Sequence, residues 1–206
     1  MAIEAVIFDI GNVLLEWAPE RFYDRVYGRD RRERLFAETG IERMNLLVDA
    51  GHDFKDTIYG WAETHPEFGR EIRDWHDRWL EMAVPEIPHS VRLLRALKAR
   101  GVPVFALTNF GVGSFDLACT AYPFLTEFDR AYVSGRMKLL KPDPAIYAAV
   151  EADCGVAPGR LLFADDKPAN IAAAEARGWR GHHFTDPAGF AAVLVAEGLL
   201  DAAGAA

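Results

Sequence analysis

The chain is poor in cysteine, in basic residues and in long apolar runs, and each shortage excludes something. Two cysteines in 206 residues, Cys119 and Cys154, with no CxxC, give neither a disulfide framework nor a zinc knuckle. Lys and Arg number 23 against 31 acidic residues, a formal charge of −8. That balance argues against a nucleic-acid surface, which needs a concentrated basic patch, while leaving room for a small anionic ligand held by a few local donors. No apolar run reaches the length of a membrane span, and no basic segment followed by a long apolar stretch opens the chain. A soluble, cytoplasmic protein without membrane or nucleic-acid partners is therefore expected. Its oligomeric state is not readable.

What is present is a series of short apolar runs that stop on polar residues. VIFD (6–9) ends on Asp9 and turns through Gly11. VPVFALTN (102–109) ends on Thr108 and Asn109, FDRAYVS (128–134) is weaker, GRLLFADD (159–166) ends on Asp165 and Asp166, and GHHF (181–184) follows. Helical patterns separate the later ones. In 142–155, Ile146, Val150 and Cys154 recur every four residues before Gly155; 168–178 runs from Pro168 to Gly178; another helix spans 187–199. Strands alternating with helices predict a parallel, doubly wound α/β sheet.

Residues 16–87 break the alternation. They hold four of the five tryptophans and almost no strand-like run. Over 70–83, Ile72, Trp75, Trp79 and Met82 fall on one helical face. The expected organisation is an α/β core made of residues 1–15 and 88–206, with a helical cap inserted at 16–87.

In an open parallel sheet, ligands gather outside the carboxyl ends of the strands. That edge would collect Asp9, Thr108, Asn109, Asp165 and Asp166, with Lys141 in the loop KLLKPDP (138–144). Carboxylates brought together repel unless a cation joins them, and hard oxygen ligands suit Mg²⁺. A hydroxyl, an amide and an ammonium are donors for phosphate oxygens.

FDIGNVLL (8–15), ALTN (106–109), KPDPAIY (141–147) and FADDKPANI (163–171), in that order, resemble the four motifs of the haloacid dehalogenase (HAD) superfamily, most of whose members are phosphatases. The likeness covers nearly the whole chain. FDxGNV is similar to the branch that contains sugar-phosphate phosphatases, and a helical insertion after the first motif is similar to that family's small cap. The resemblance implies a Mg²⁺-dependent phosphatase acting on a small phosphorylated metabolite, plausibly a sugar phosphate. Asp9 would be the nucleophile, passing through an aspartyl-phosphate. Asp9, the Gly11 carbonyl, Asp165 and Asp166 would hold the metal, with Asp166 a direct ligand and Asp165 direct or through water. Thr108, the Asn109 backbone and Lys141 would bind the phosphoryl group, and Lys141 would also serve the nucleophile. Lys138 competes with Lys141, but the Lys-Pro-Asp-Pro context favours Lys141. Asn170 would orient the last loop.

One departure stands out. Most phosphatases of the family carry an acid–base Asp two residues after the nucleophile, where this chain has Gly11. A good leaving group, weak turnover, or a substitute from the cap would each accommodate it; His52 and Glu16 are the substitutes in view. A true 2-haloacid dehalogenase, which uses the same nucleophile without metal, is disfavoured by Asp165-Asp166. A phosphate- and metal-binding regulatory protein with weak turnover is the other alternative. Arg21, Arg25, Arg29 and Arg32 could greet an anion, though a solvated face is the simpler reading. The histidines read as structural or surface groups, with His182 and His183 on opposite strand faces. Most tryptophans read as core, and Trp17 lies nearest the active loop.

Overall fold

In a computed structural model, described here for residues 2–206, five parallel strands form one sheet in the order β3-β2-β1-β4-β5. The strands are β1 (Ala5–Phe8), β2 (Val104–Thr108), β3 (Arg130–Val133), β4 (Leu161–Asp165) and β5 (Arg180–His183). The chain leaves β1, builds β2 and β3 on one side, then crosses to build β4 and β5 on the other. The reversal falls beside β1, where a doubly wound sheet opens its ligand crevice. Register places Phe8 opposite Ala106 on one side and Ala164 on the other, so Asp9 and Asp165 emerge side by side.

Both faces of the three central strands, β1, β2 and β4, are buried, which is why these are continuous apolar runs. Successive side chains point to opposite faces. Val6, Phe8, Val104, Ala106, Leu162 and Ala164 face one core; Ala5, Ile7, Phe105, Leu107, Leu161 and Phe163 face the other. Helices α6 (Pro88–Ala99), α7 (Val112–Ala121) and α11 (Pro187–Ala196) cover the first through Leu94, Phe115 and Phe190, among others. Helices α9 (Pro144–Cys154) and α10 (Pro168–Ala176) cover the second through Ile146, Val150 and Ile171. Asp143 caps α9 by accepting from the Ala145 N–H at 2.8 Å, and Gly155 ends it in the left-handed conformation.

Between β1 and β2 lie α1 (Pro19–Tyr27), α2 (Arg29–Thr39), α3 (Ile41–Asp49), α4 (Phe54–Thr64) and α5 (Gly69–Asp77). The continuous helix expected over 70–83 is corrected. α5 stops at Asp77 and a separate 3₁₀ turn covers Trp79–Glu81. All four face residues are nonetheless buried, because the break turns Trp79 and Met82 back onto the same core. The outgoing and returning chains run together: the Glu16 N–H donates to the Pro85 carbonyl at 2.9 Å, and Ile87 to Leu14 at 2.8 Å. Among the described residues no helix is long and apolar enough to cross a membrane.

The α3 end packs tightly on the loops that follow β2 and β3. A Cβ on Gly111 would lie 2.4 Å from Val48 Cγ1, and one on Gly51 would lie 2.6 Å from the Gly135 carbonyl oxygen. Gly135 is the second residue of the short helix α8 (Ser134–Met137). Its own Cβ would meet only main chain, the Phe110 oxygen at 2.9 Å and the Val112 nitrogen at 3.0 Å. Main chain cannot swing aside, so Gly135→Ala is expected to cost about 1–3 kcal/mol, read as a lowered melting temperature.

Candidate active site

Asp9 follows directly on β1, Thr108 ends β2, Asp165 ends β4, and Lys141 lies in the turn before α9. At their centre is the Lys141 ammonium, which is buried, donates to Asp165 Oδ2 at 2.6 Å and to the Leu107 carbonyl at 2.8 Å, and is ion-paired with Asp9 Oδ1 at 2.9 Å. Its charge answers the two carboxylates, the nucleophile-serving half of what the sequence led one to expect of Lys141. Burial works against that charge, but Asp9 and Asp165 outweigh it and hold the ammonium above its ordinary pKa.

Asp9 Oδ1 also accepts the Ile10 N–H at 2.7 Å, so both donors land on one oxygen and Oδ2 is left to the cavity. Burial pushes the Asp9 carboxyl up to about 7; Lys141 opposes the rise and Asp165 adds to it. Asp165 is committed on both oxygens. Oδ1 accepts the Lys167 N–H at 2.8 Å, and the Asn170 amide lies 2.9 Å from each oxygen. Asn170 does orient the loop after β4, as its position led one to expect. Asp166 is held by Asn12, whose Nδ2 donates to Oδ2 at 3.0 Å while its Oδ1 accepts the Trp17 N–H at 3.0 Å.

Ligand atoms of Asp9, Asp165 and Asp166 all lie within 4.8 Å of one another. One buried ammonium answers only two of the three carboxyls, which leaves the cluster short of positive charge. The donor set is all oxygen. Both observations fit a hard divalent cation. Gly11 lies in the same turn, on the wall of the cavity.

Asn109 spends its side chain on the Lys141 backbone, donating to the carbonyl at 2.9 Å and accepting from the N–H at 2.8 Å. It fixes the loop that carries the lysine. Lys138 sits instead at the left-handed end of α8. The arginines of the first two helices each have an acidic partner: Arg21–Glu16, Arg25–Glu81, Arg29–Glu33 and Arg32–Asp24, at 2.6–2.9 Å. They form a paired surface. His182 stacks on Phe190 with its pKa lowered by burial, and His183 lies on the other, exposed face.

The cluster opens into a cavity of about 420 Å³. Leu15, Trp17, Trp75, Trp79 and Phe110 make an apolar part of its wall. Trp17 stacks on Trp79 at 5.4 Å and meets Trp75 edge-on at 5.7 Å. Leu46 lines the same cavity and is 52% exposed, unusual for a leucine. Two contributors escaped the sequence reading. Asn12 had a signal, a polar residue in a turn after a strand, where it adopts φ 56°. Asp49, at the end of α3 and on the cavity wall, had none.

A family model for haloacid dehalogenase-like hydrolases matches residues 3–178. The chain belongs to that family of hydrolases. A curated relative, the sesquiterpene phosphatase AstK of Aspergillus oryzae, is 29% identical over 186 residues, covering 89% of this chain and 90% of its own. Among solved structures, a HAD family enzyme from Bacteroides thetaiotaomicron superposes with a TM-score of 0.73 at 22% identity, over 90% of this chain and 95% of that one. The same enzyme in complex with magnesium and inorganic phosphate gives 0.66 at 21% identity, over 89% and 95%. L-2-haloacid dehalogenase from Xanthobacter autotrophicus gives 0.65 at 20% identity, over 97% and 85%. These structural likenesses establish the shared fold.

Proposed function

We propose that the protein is a Mg²⁺-dependent phosphatase that hydrolyses a small phosphate monoester through an aspartyl-phosphate on Asp9. The observation that carries this is the buried Lys141 ammonium clamped between Asp9 and Asp165, with Asp166 beside them and Asp9 Oδ2 turned to the cavity. Asp9, Asp166 and the Gly11 carbonyl would hold the cation; Asp165, saturated by Lys141 and Asn170, acts through water. When bound, the cation supplies the positive charge that lets an anionic nucleophile approach an anionic phosphate. Lys141 and the Ile10 N–H keep Asp9 aimed by holding Oδ1. Thr108 and the Asn109 backbone donate to phosphoryl oxygens. Residues 16–87 act as the cap, and Trp17, Trp75 and Trp79 on the cavity wall exclude bulk water from the reacting centre.

The apolar wall and the exposed Leu46 support a phosphate ester of an apolar alcohol more than the sugar phosphate first expected, and a sesquiterpene phosphatase relative points the same way. The acidic pair at the end of β4 supports phosphatase over dehalogenase chemistry. Phosphate release should be measured across alkyl, prenyl and sugar phosphates, with Mg²⁺ and with EDTA. Metal-dependent release, best with the apolar esters, is expected; no release from any ester would overturn the reading. Asn170→Leu removes the amide that fixes both Asp165 oxygens. Groups in that position are typically worth about 10–100-fold in metal affinity or activity. The variant should need correspondingly more Mg²⁺ for half-maximal rate.

A further inference from the structure

The phosphatase reading leaves a chemical gap. An alkoxide is a poor leaving group, and position 11, a turn from the nucleophile, is a glycine with no proton to give. Five carboxyl residues line the cavity: Asp9, Glu16, Glu42, Asp49 and Asp166. Asp9 and Asp166 belong to the cation cluster. Glu16 is ion-paired with Arg21 at 2.6 Å, and Glu42 is exposed in the first turn of α3. His52, considered from sequence, is exposed and does not line the cavity.

Asp49 remains, and its setting is built. Asn45 Nδ2 donates to Asp49 Oδ2 at 2.9 Å, and the Gly111 N–H, in the loop just past Asn109, lies near enough to the same carboxyl group to stabilise its charge. Asn45 is itself fixed by the Trp75 indole, which donates to its Oδ1 at 3.0 Å. The Asp49 carbonyl accepts from Ser134 Oγ at 2.6 Å. The close approaches of Val48 to Gly111 and of Gly51 to Gly135 clamp the residues on either side. A helix end from the inserted region is thus locked to the loop that follows Thr108 and Asn109, with a carboxyl group presented to the cavity that Asp9 enters.

We propose that Asp49 is the acid–base catalyst of this site, supplying from α3 the carboxyl that position 11 lacks. The proposal rests on the phosphatase reading and gives it a complete proton path. As Asp9 attacks phosphorus, the P–O bond to the alcohol breaks, its electron pair stays on the leaving oxygen, and the Asp49 proton moves there. Water then attacks the phosphorus of the aspartyl-phosphate and gives its proton to the Asp49 carboxylate. The bond to Asp9 breaks and its electron pair returns to Asp9. Inorganic phosphate leaves and both residues are restored.

The charge environment suits both halves. Burial pushes the Asp49 carboxyl up to about 7; Lys167, the Gly111 N–H and Lys141 lower it, and Asp9 raises it further. From α8, the Lys138 side chain packs near Gly51, two residues on. A group near neutrality can both give and take a proton at working pH.

The test is the first-turnover rate of alcohol release, with Mg²⁺, by wild type and Asp49→Asn. Two esters are compared: a long-chain alkyl phosphate and para-nitrophenyl phosphate, whose leaving group is stable as an anion. The alkyl ester should lose about 10²–10⁴-fold in the variant, the usual worth of general acid help. The nitrophenyl ester should keep its first-turnover rate and then stall after a burst equal to the enzyme present, because the base for the second half is gone. Equal losses on both esters, or none on either, would overturn the proposal. Wild-type enzyme offers a check free of folding effects. Its alkyl-ester rate should fall as pH rises through about 7 while the nitrophenyl first turnover does not share that limb; identical profiles would overturn it as well. If wild type releases neither alcohol, the phosphatase reading itself has failed.

Discussion

Asp9→Asn is expected to reduce phosphate release to the level of a blank, a loss of about 10⁴-fold or more, while the protein stays folded and still binds Mg²⁺ weakly. The size follows from Asp9 being the attacking atom, since removing a nucleophile removes the covalent route altogether. The stability of the fold should survive because an amide fits where the carboxyl was, and Oδ1 can still accept from Lys141 and the Ile10 N–H. Asparagine also removes one negative charge from a cluster that holds three carboxyls against one ammonium, which favours the folded state. Phosphate assay, circular dichroism and a melting curve check all three parts. Release that persists in the variant would show that another group attacks phosphorus, or that the activity came from a contaminant.

Lys141→Met should have the largest effect on stability. Its ammonium is 4% exposed and answers Asp9 and Asp165, which are 6% and 0% exposed. Breaking a buried ion pair by removing one partner typically costs about 3–5 kcal/mol, because the surviving charge stays buried without compensation. For a chain of this length that is a fall of about 10 °C in melting temperature. The pH dependence has a definite sign. Burial already holds the Asp9 carboxyl above its ordinary value, and without the lysine that rise is no longer opposed. Its protonated form stabilises the fold at low pH, and that contribution is lost as pH rises through the raised value. The deficit should therefore be larger at about pH 8 than at about pH 5. Mg²⁺, which restores positive charge to the same carboxylates, should raise the melting temperature of the variant more than that of the wild type. A variant that melts with the wild type at both pH values would show that the lysine does not hold the cluster together.

Much of this was legible because it is local. Apolar runs that end on Asp9, Thr108 and Asp165 became strands within a residue or two of their expected ends, since a strand buried on both faces must be written as a continuous apolar run. The same logic placed Gly155 just past α9. What could not be read depends on which distant groups meet. The helix over 70–83 keeps its apolar period through Arg78, yet the chain turns there to seat Trp79 against Trp17 and Phe110, partners far off in sequence. Lys141 read as a partner of both the nucleophile and the phosphate, but nothing in KPDP shows that Asp165 converges on its ammonium as well as Asp9. Asp49 was not singled out at all, since its cavity is assembled from β1, β2 and β4 loops as well as α3.

The measurement that bears most directly on the mechanism is a rapid acid quench of the enzyme turning over an alkyl phosphate with Mg²⁺, followed by digestion and mass mapping of the covalent phosphate. The expected result is one acid-stable, base-labile phosphate on the peptide that contains Asp9, absent with EDTA and absent in Asp9→Asn. Turnover that proceeds with no covalent phosphate at any quench time, or with the phosphate on another residue, would contradict it.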